Sequence, residues 1–138
     1  MTGATLRAES IDRPIAYRLR DEVGARRAAI ADLRECADPA PESLVCSDLW
    51  WLNHPELQEQ PTISVGAPES NALTAYLAGR LPQVFSIEQR LVVQADLHHQ
   101  QLLACCWGRS GDATEQAVRA FADRHLDAFL AAALDRAD

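Results

Sequence analysis

Thr62-Ile63-Ser64-Val65-Gly66-Ala67-Pro68-Glu69-Ser70-Asn71-Ala72-Leu73 is the stretch that decides the fold class of this chain. Its first four residues are a short apolar run bounded by turn residues, which is how a buried strand reads. Gly66, Ala67 and Pro68 then break the pattern. Leu73, Tyr76 and Leu77 follow at the spacing of one helical face, with Ser70 placed to cap it, and Gly79 and Pro82 bound its end. A strand, a tight turn and a helix in that order make a β–turn–α unit and set the expectation of an α/β fold.

Towards the N-terminus, Ser43 to Ser47 reads as a second buried strand, separated from Thr62 by Asp48, the apolar Leu49-Trp50-Trp51-Leu52 and the breakers Asn53, His54 and Pro55. Ala37 to Glu42 reads as a linker. Before it, Ile15, Leu19, Val23, Ile30 and Leu33 recur at helical spacing from about Pro14 to Glu35, with Gly24 as a weak point. Residues 1–12 are expected to be a loose arm. Towards the C-terminus, Gln83 to Ile87, Leu91 to Ala95 and Gln101 to Trp107 read as strands. The polar Asp96 to Gln100 segment suits a hairpin loop that makes the last two antiparallel. Asp112 and Glu115 have capping-box spacing ahead of a final helix from about Ala113 to Arg136. The expected whole is one domain over residues 13–138: a three-layer α/β sandwich with helices flanking a mixed sheet, the Ser43 and Thr62 strands supplying its parallel part.

The chain has 138 residues, 48% of them hydrophobic and 24% charged, the proportions of one globular domain. It has no apolar run of membrane-spanning length and no apolar leader near Met1, so a cytoplasmic location and no membrane partner are expected. A net charge of −7 disfavours nucleic acid as a partner. The charge is uneven: residues 1–35 hold seven arginines against six acids, and the excess negative charge lies beyond them. This first segment reads either as a solvated helix laced with ion pairs or as a polyanion-binding face, the former being favoured. Cys36, Cys46, Cys105 and Cys106 lack metal-knuckle or redox spacing and read as reduced, small hydrophobes, with Cys105 and Cys106 on opposite faces of a strand. No metal and no cofactor is implied.

The best candidate for chemistry is the Gly66 turn. A glycine lets a ligand approach the backbone, the first amides of a helix favour an anion, and Ser70 and Asn71 add polar side chains. Glu69 opposes an anion there, and the same residues serve equally to shape and cap the turn. If the Ser43 strand runs parallel to the Thr62 strand, Asp48 reaches the same carboxyl edge, where open α/β sheets bind ligands. Arg109 and Ser110 reach it too if strand order allows. The ligand-binding set is therefore Asp48, Gly66, Ser70, Asn71 and Arg109. His98 and His99 read as surface loop residues and His125 as a core or interface residue. Trp50, Trp51 and Trp107 read first as core packing, otherwise as a pocket wall or interface anchors.

Cys46-Ser47-Asp48-Leu49-Trp50, the run Val65-Gly66-Ala67-Pro68-Glu69-Ser70-Asn71 and the strand end Cys106-Trp107-Gly108 resemble a group of uncharacterised bacterial α/β proteins with a Val-Gly-x-Pro-x-x-Asn strand–turn–helix. The resemblance covers the middle and end of the chain and implies a fold, with no assigned activity. Ala67 stands where that pattern has a second glycine, which weakens a phosphate-cradling role. Three functional readings follow. The first is a module binding a small anionic or polar ligand at the turn. The second is a protein-interaction or homo-oligomeric module using the arginine-rich helix, the tryptophans or the final helix. The third is a small hydrolase or transferase using Asp48 or a cysteine.

Overall fold

The computed structural model describes residues 1–34, 42–98 and 101–137. Four strands form one open sheet: β1 (Thr62–Val65), β2 (Gln83–Ile87), β3 (Leu91–Asp96) and β4 (Leu103–Gly108), in the order β1-β4-β3-β2. The β2–β3 and β3–β4 pairs are antiparallel, while β1 and β4 run parallel with Val65 opposite Cys106. Among the described residues six α-helices accompany the sheet: α1 (Arg13–Leu33), α2 (Asp48–Leu52), α3 (Pro55–Gln58), α4 (Ala72–Leu77), α5 (Gly111–Arg124) and α6 (Leu126–Ala137). The α/β class with a mixed sheet flanked by helices is the one the sequence predicts.

Alternation along the strands sends side chains to two different cores. Leu91, Val93, Ala95, Ala104 and Cys106 face one side, where Ile15, Leu19 and Val23 of α1, Val118 and Phe121 of α5, and Phe129 of α6 close over them. Leu103 and Cys105 face the other side, where Met1, Trp51 of α2 and Leu73 and Leu77 of α4 form a smaller cluster. Cys105 and Cys106 thus take opposite faces. The smaller layer is pinned by buried polar contacts. Ser64 and Thr74 share a hydroxyl bond of 2.7 Å, the Trp51 indole donates to Thr62 Oγ1 at 3.2 Å, and Gln94 Nε2 donates to the carbonyls of Ala78 and Leu81. Each satisfies a group whose unpaired burial costs about 1–3 kcal/mol.

Several local expectations give way to tertiary pairing. Ser43 to Ser47 is not a strand; among the described residues its only ladder contact is a bridge from Ser47 to Thr2. The outer edge of β1 is already occupied: the Met1 nitrogen donates to Ile63 O at 2.7 Å and Val65 N donates to Met1 O at 2.8 Å. Cys46 to Asp48 lies one chain further out, bonded to Thr2 through Thr2 N–Cys46 O and Asp48 N–Thr2 O. The parallel partner of β1 is therefore β4. For the same reason residues 1–12 are not a loose arm. Met1 and Thr2 are buried within this ladder, and Ala8–Asp12 forms a π-helical turn running straight into α1. Helix α1 passes through Gly24 without a break. At the other end His125 interrupts the expected single helix, with a φ of −129° that separates α5 from α6. Ser110, extended and accepting from Ala113 N, caps α5 in place of Asp112. The Ala37 to Glu42 linker falls mostly outside the described residues, as do Glu35, Cys36 and His99.

Candidate functional site

Strands β1 and β4 lie side by side, run the same way and lead to helices on opposite faces: α4 joins the Cys105 side and α5 the Cys106 side. Diverging connections of this kind leave a crevice at the carboxyl edge, the usual ligand position in open α/β sheets. The Gly66 turn forms one wall.

The structure brings Asp48, Gly66, Ser70 and Asn71 together there. Asn71, only 1% exposed, is the cap of α4: its Oδ1 accepts from Leu73 N and Thr74 N, and its Nδ2 donates to Val65 O at 3.0 Å. The cap falls on Asn71 rather than Ser70 because Ser70 N and Ser70 Oγ both turn back to Ala67 O. Asp48 is buried. One carboxylate oxygen accepts from Leu49 N and the other from Ala72 N, each at 2.8 Å. It thereby ties the start of α2 to the start of α4. Asp48 and Asn71 meet across the fold, yet each spends its polar atoms on backbone groups.

Arg109 is not part of this group. Its amide donates to Arg90 O on the β3 flank of β4, away from β1, and its side chain is exposed.

Two residues outside the expected set occupy the crevice. Gly66 has a φ of +119°, and a Cβ there would lie 2.5 Å from Asp12 Oδ2. A Cβ on Gly111, at the start of α5, would lie 2.7 Å from Ile11 Cγ2. Adjacent residues of the π-helical turn therefore cover both strand-to-helix turns. Asp12 is 6% exposed, and burial pushes its carboxyl above the usual range, opposed by the nearby Arg7 and a hydrogen bond with Ser70. The sequence carries no cue to this: acids are uncommon at buried positions unless paired, and Asp12 stands in a stretch with no apolar periodicity to mark it as interior.

The remaining chemistry-bearing groups are inward or self-paired. Burial pushes the Cys105 thiol up to about 12, and raises Cys106 and Cys46 as well. Thiolate, the reactive form, is correspondingly scarce. The His54 ring stacks on Trp50 at 4.5 Å and its Nδ1 donates to Trp50 O at 2.7 Å. Among the described residues no three His, Cys, Asp or Glu side chains converge as metal ligands do. No described helix is long and apolar enough to cross a membrane.

A second feature stands out on the smaller layer. Helix α2 buries Trp51 but leaves Leu49, Trp50 and Leu52 exposed, Trp50 by 55%, and neighbouring α4 leaves Tyr76 exposed. This short helix is nonetheless held at both ends. Ser47 Oγ accepts from Trp50 N, Asn53 Nδ2 donates to Leu49 O, and Gln58 Nε2 donates to the carbonyls of Trp51 and Leu52. The sequence marks the tryptophans but not which of them faces outward, because period alone does not orient a five-residue helix.

No protein-family model matches the chain, and no curated protein or solved structure matches it.

Proposed function

We propose that this protein is a protein-interaction module whose recognition face is the outer surface of α2 and α4. One observation carries the reading: α2 is capped by side chains at both ends and has Trp50 stacked on His54, yet three of its five residues are apolar and exposed. A rigid, outward tryptophan binds with little loss of side-chain freedom, and tryptophan and tyrosine dominate interface energetics. The alternatives draw less support. Both Asp48 carboxylate oxygens are committed to backbone amides, and burial raises the thiols of Cys46, Cys105 and Cys106. Display selection of random peptides on the protein, followed by affinity measurement against Trp50→Ala, tests the reading. Selected peptides are expected to lose at least about tenfold in affinity. Peptides that bind the variant equally well would remove α2 as the face.

A second reading, a small polar ligand in the crevice beside Gly66, is favoured by the diverging β1 and β4 connections. It requires the π-helical turn to withdraw, since Asp12 and Ile11 cover the turns. Thermal shifts with nucleotides, phosphosugars and carboxylates, on the natural chain and on Asp12→Ala, decide it. Silence from both proteins counts against a ligand there.

A further inference from the structure

We infer that the partner at the α2–α4 face is a basic segment of another protein with an apolar anchor; this rests on the interaction reading above. The argument is charge complementarity, because the two layers treat their charges differently. On the α1–α5–α6 side arginines are plentiful and several pair with acids: Arg18 with Glu115, Arg26 with Glu22 and Asp127, and Arg34 with Asp135. On the α2–α4 side bases are scarce: neither Lys nor Arg occurs from residue 35 to residue 79, and Arg80, just past α4, is engaged by the Tyr76 ring and carbonyl. Glu56, Glu59 and Glu69 are all exposed there, and none has an ion-pair partner among the described residues. An apolar, aromatic face flanked by unpaired carboxylates selects a partner with cations around an apolar anchor.

Two further points narrow the occupant. In a two-fold contact a second copy of the chain would bring the same unpaired glutamates to the same face. Nucleic acid and anionic lipid surfaces are repelled by the same carboxylates. In addition, Trp50 is 55% exposed while stacked on His54, and an exposed indole ring attracts a guanidinium or ammonium group. The α4 part of the same face contains such a contact, where the Arg80 guanidinium lies 3.8 Å above the Tyr76 ring.

The test uses two synthetic amphipathic peptides of equal length and identical leucine positions, one with lysine and one with glutamate at the polar positions. Binding is followed by fluorescence anisotropy of labelled peptide at two salt concentrations. The proteins are the natural chain, Trp50→Ala, and the triple variant Glu56→Gln/Glu59→Gln/Glu69→Gln, each first shown to melt cooperatively. The lysine peptide is expected to bind at least about tenfold more tightly than the glutamate peptide. It should weaken about tenfold on Trp50→Ala and lose most of its salt dependence on the triple variant. If both peptides bind alike and both depend on Trp50, the interaction face stands and its basic partner is overturned. If neither depends on Trp50, both readings fall. If light scattering finds a dimer that Trp50→Ala dissociates, the face belongs to a second copy and the inference is overturned.

Discussion

Replacing Gly66 by alanine tests the closed crevice most directly, because the cost separates into two parts. The first is conformational. At a φ of +119° an L side chain is strained, at a cost of about 1–3 kcal/mol. The second is steric: the new methyl would lie 2.5 Å from Asp12 Oδ2 and 3.1 Å from its Cγ, while Asp12 Cβ at 3.7 Å is an ordinary contact. Forcing the buried carboxylate aside costs about 1–3 kcal/mol, as overpacking generally does. Gly66→Ala alone is therefore expected to lose about 2–6 kcal/mol. In an Asp12→Ala background the clashing atoms are gone and only the conformational part remains, so the two substitutions should couple by about 1–3 kcal/mol. Urea titrations of the natural chain, both single variants and the double variant at neutral pH, followed by circular dichroism, measure that coupling. Additivity to within about 0.5 kcal/mol would show that Asp12 does not sit over Gly66.

Three other expectations follow from the same geometry. Burial raises the folded-state carboxyl of Asp12 above its unfolded value near 3.8, so ionising it disfavours the folded state, and its contribution to stability falls as pH climbs from about 4 through the folded value. Asp12→Asn keeps a group able to bond Ser70 and should gain stability relative to the natural chain between pH 4 and 7; thermal melts showing a constant loss across that range would contradict this. Asn71→Ala removes the cap of α4 and strands the Val65 carbonyl, a combined loss of about 2–4 kcal/mol in urea unfolding, whereas a loss below about 1 kcal/mol would mean that the Asn71 contacts are dispensable. Cys105 and Cys106 should resist alkylation in the native protein at pH 8 and react on unfolding, as read by peptide mapping; native labelling of either at the rate of a free thiol would refute their burial.

The residues around the Gly66 crevice are legible in sequence to different depths. Gly66 and Asn71 were identified because a strand-to-helix turn is a local object: the same dozen residues contain the glycine, the cap and the apolar positions. Asp48 was placed at the right edge through a pairing that does not exist. It arrives because Thr2 lies between Cys46–Asp48 and β1, and its carboxylate then reaches Ala72 N. Asp12 and Ile11 were missed, since their burial depends on a π-helical turn meeting two turns that begin 54 and 97 residues further along. Arg109 shares the edge in principle, but strand order turns it to the other flank of β4.

By itself the sequence determined what short-range physics controls: the β1 turn and α4, the α1 periodicity, three later strands with the antiparallel pairing of the last two, the opposed Cys105 and Cys106 side chains, and the α/β class that such an order imposes. Tertiary structure decided which strand lies beside β1, which end of the chain fills the crevice, and which tryptophan of an adjacent pair faces outward. These choices turn on competition for one sheet edge and one rim. Met1 and Thr2, rather than Ser43 to Ser47, satisfy the β1 backbone, and that outcome is set by contacts between residues about sixty positions apart.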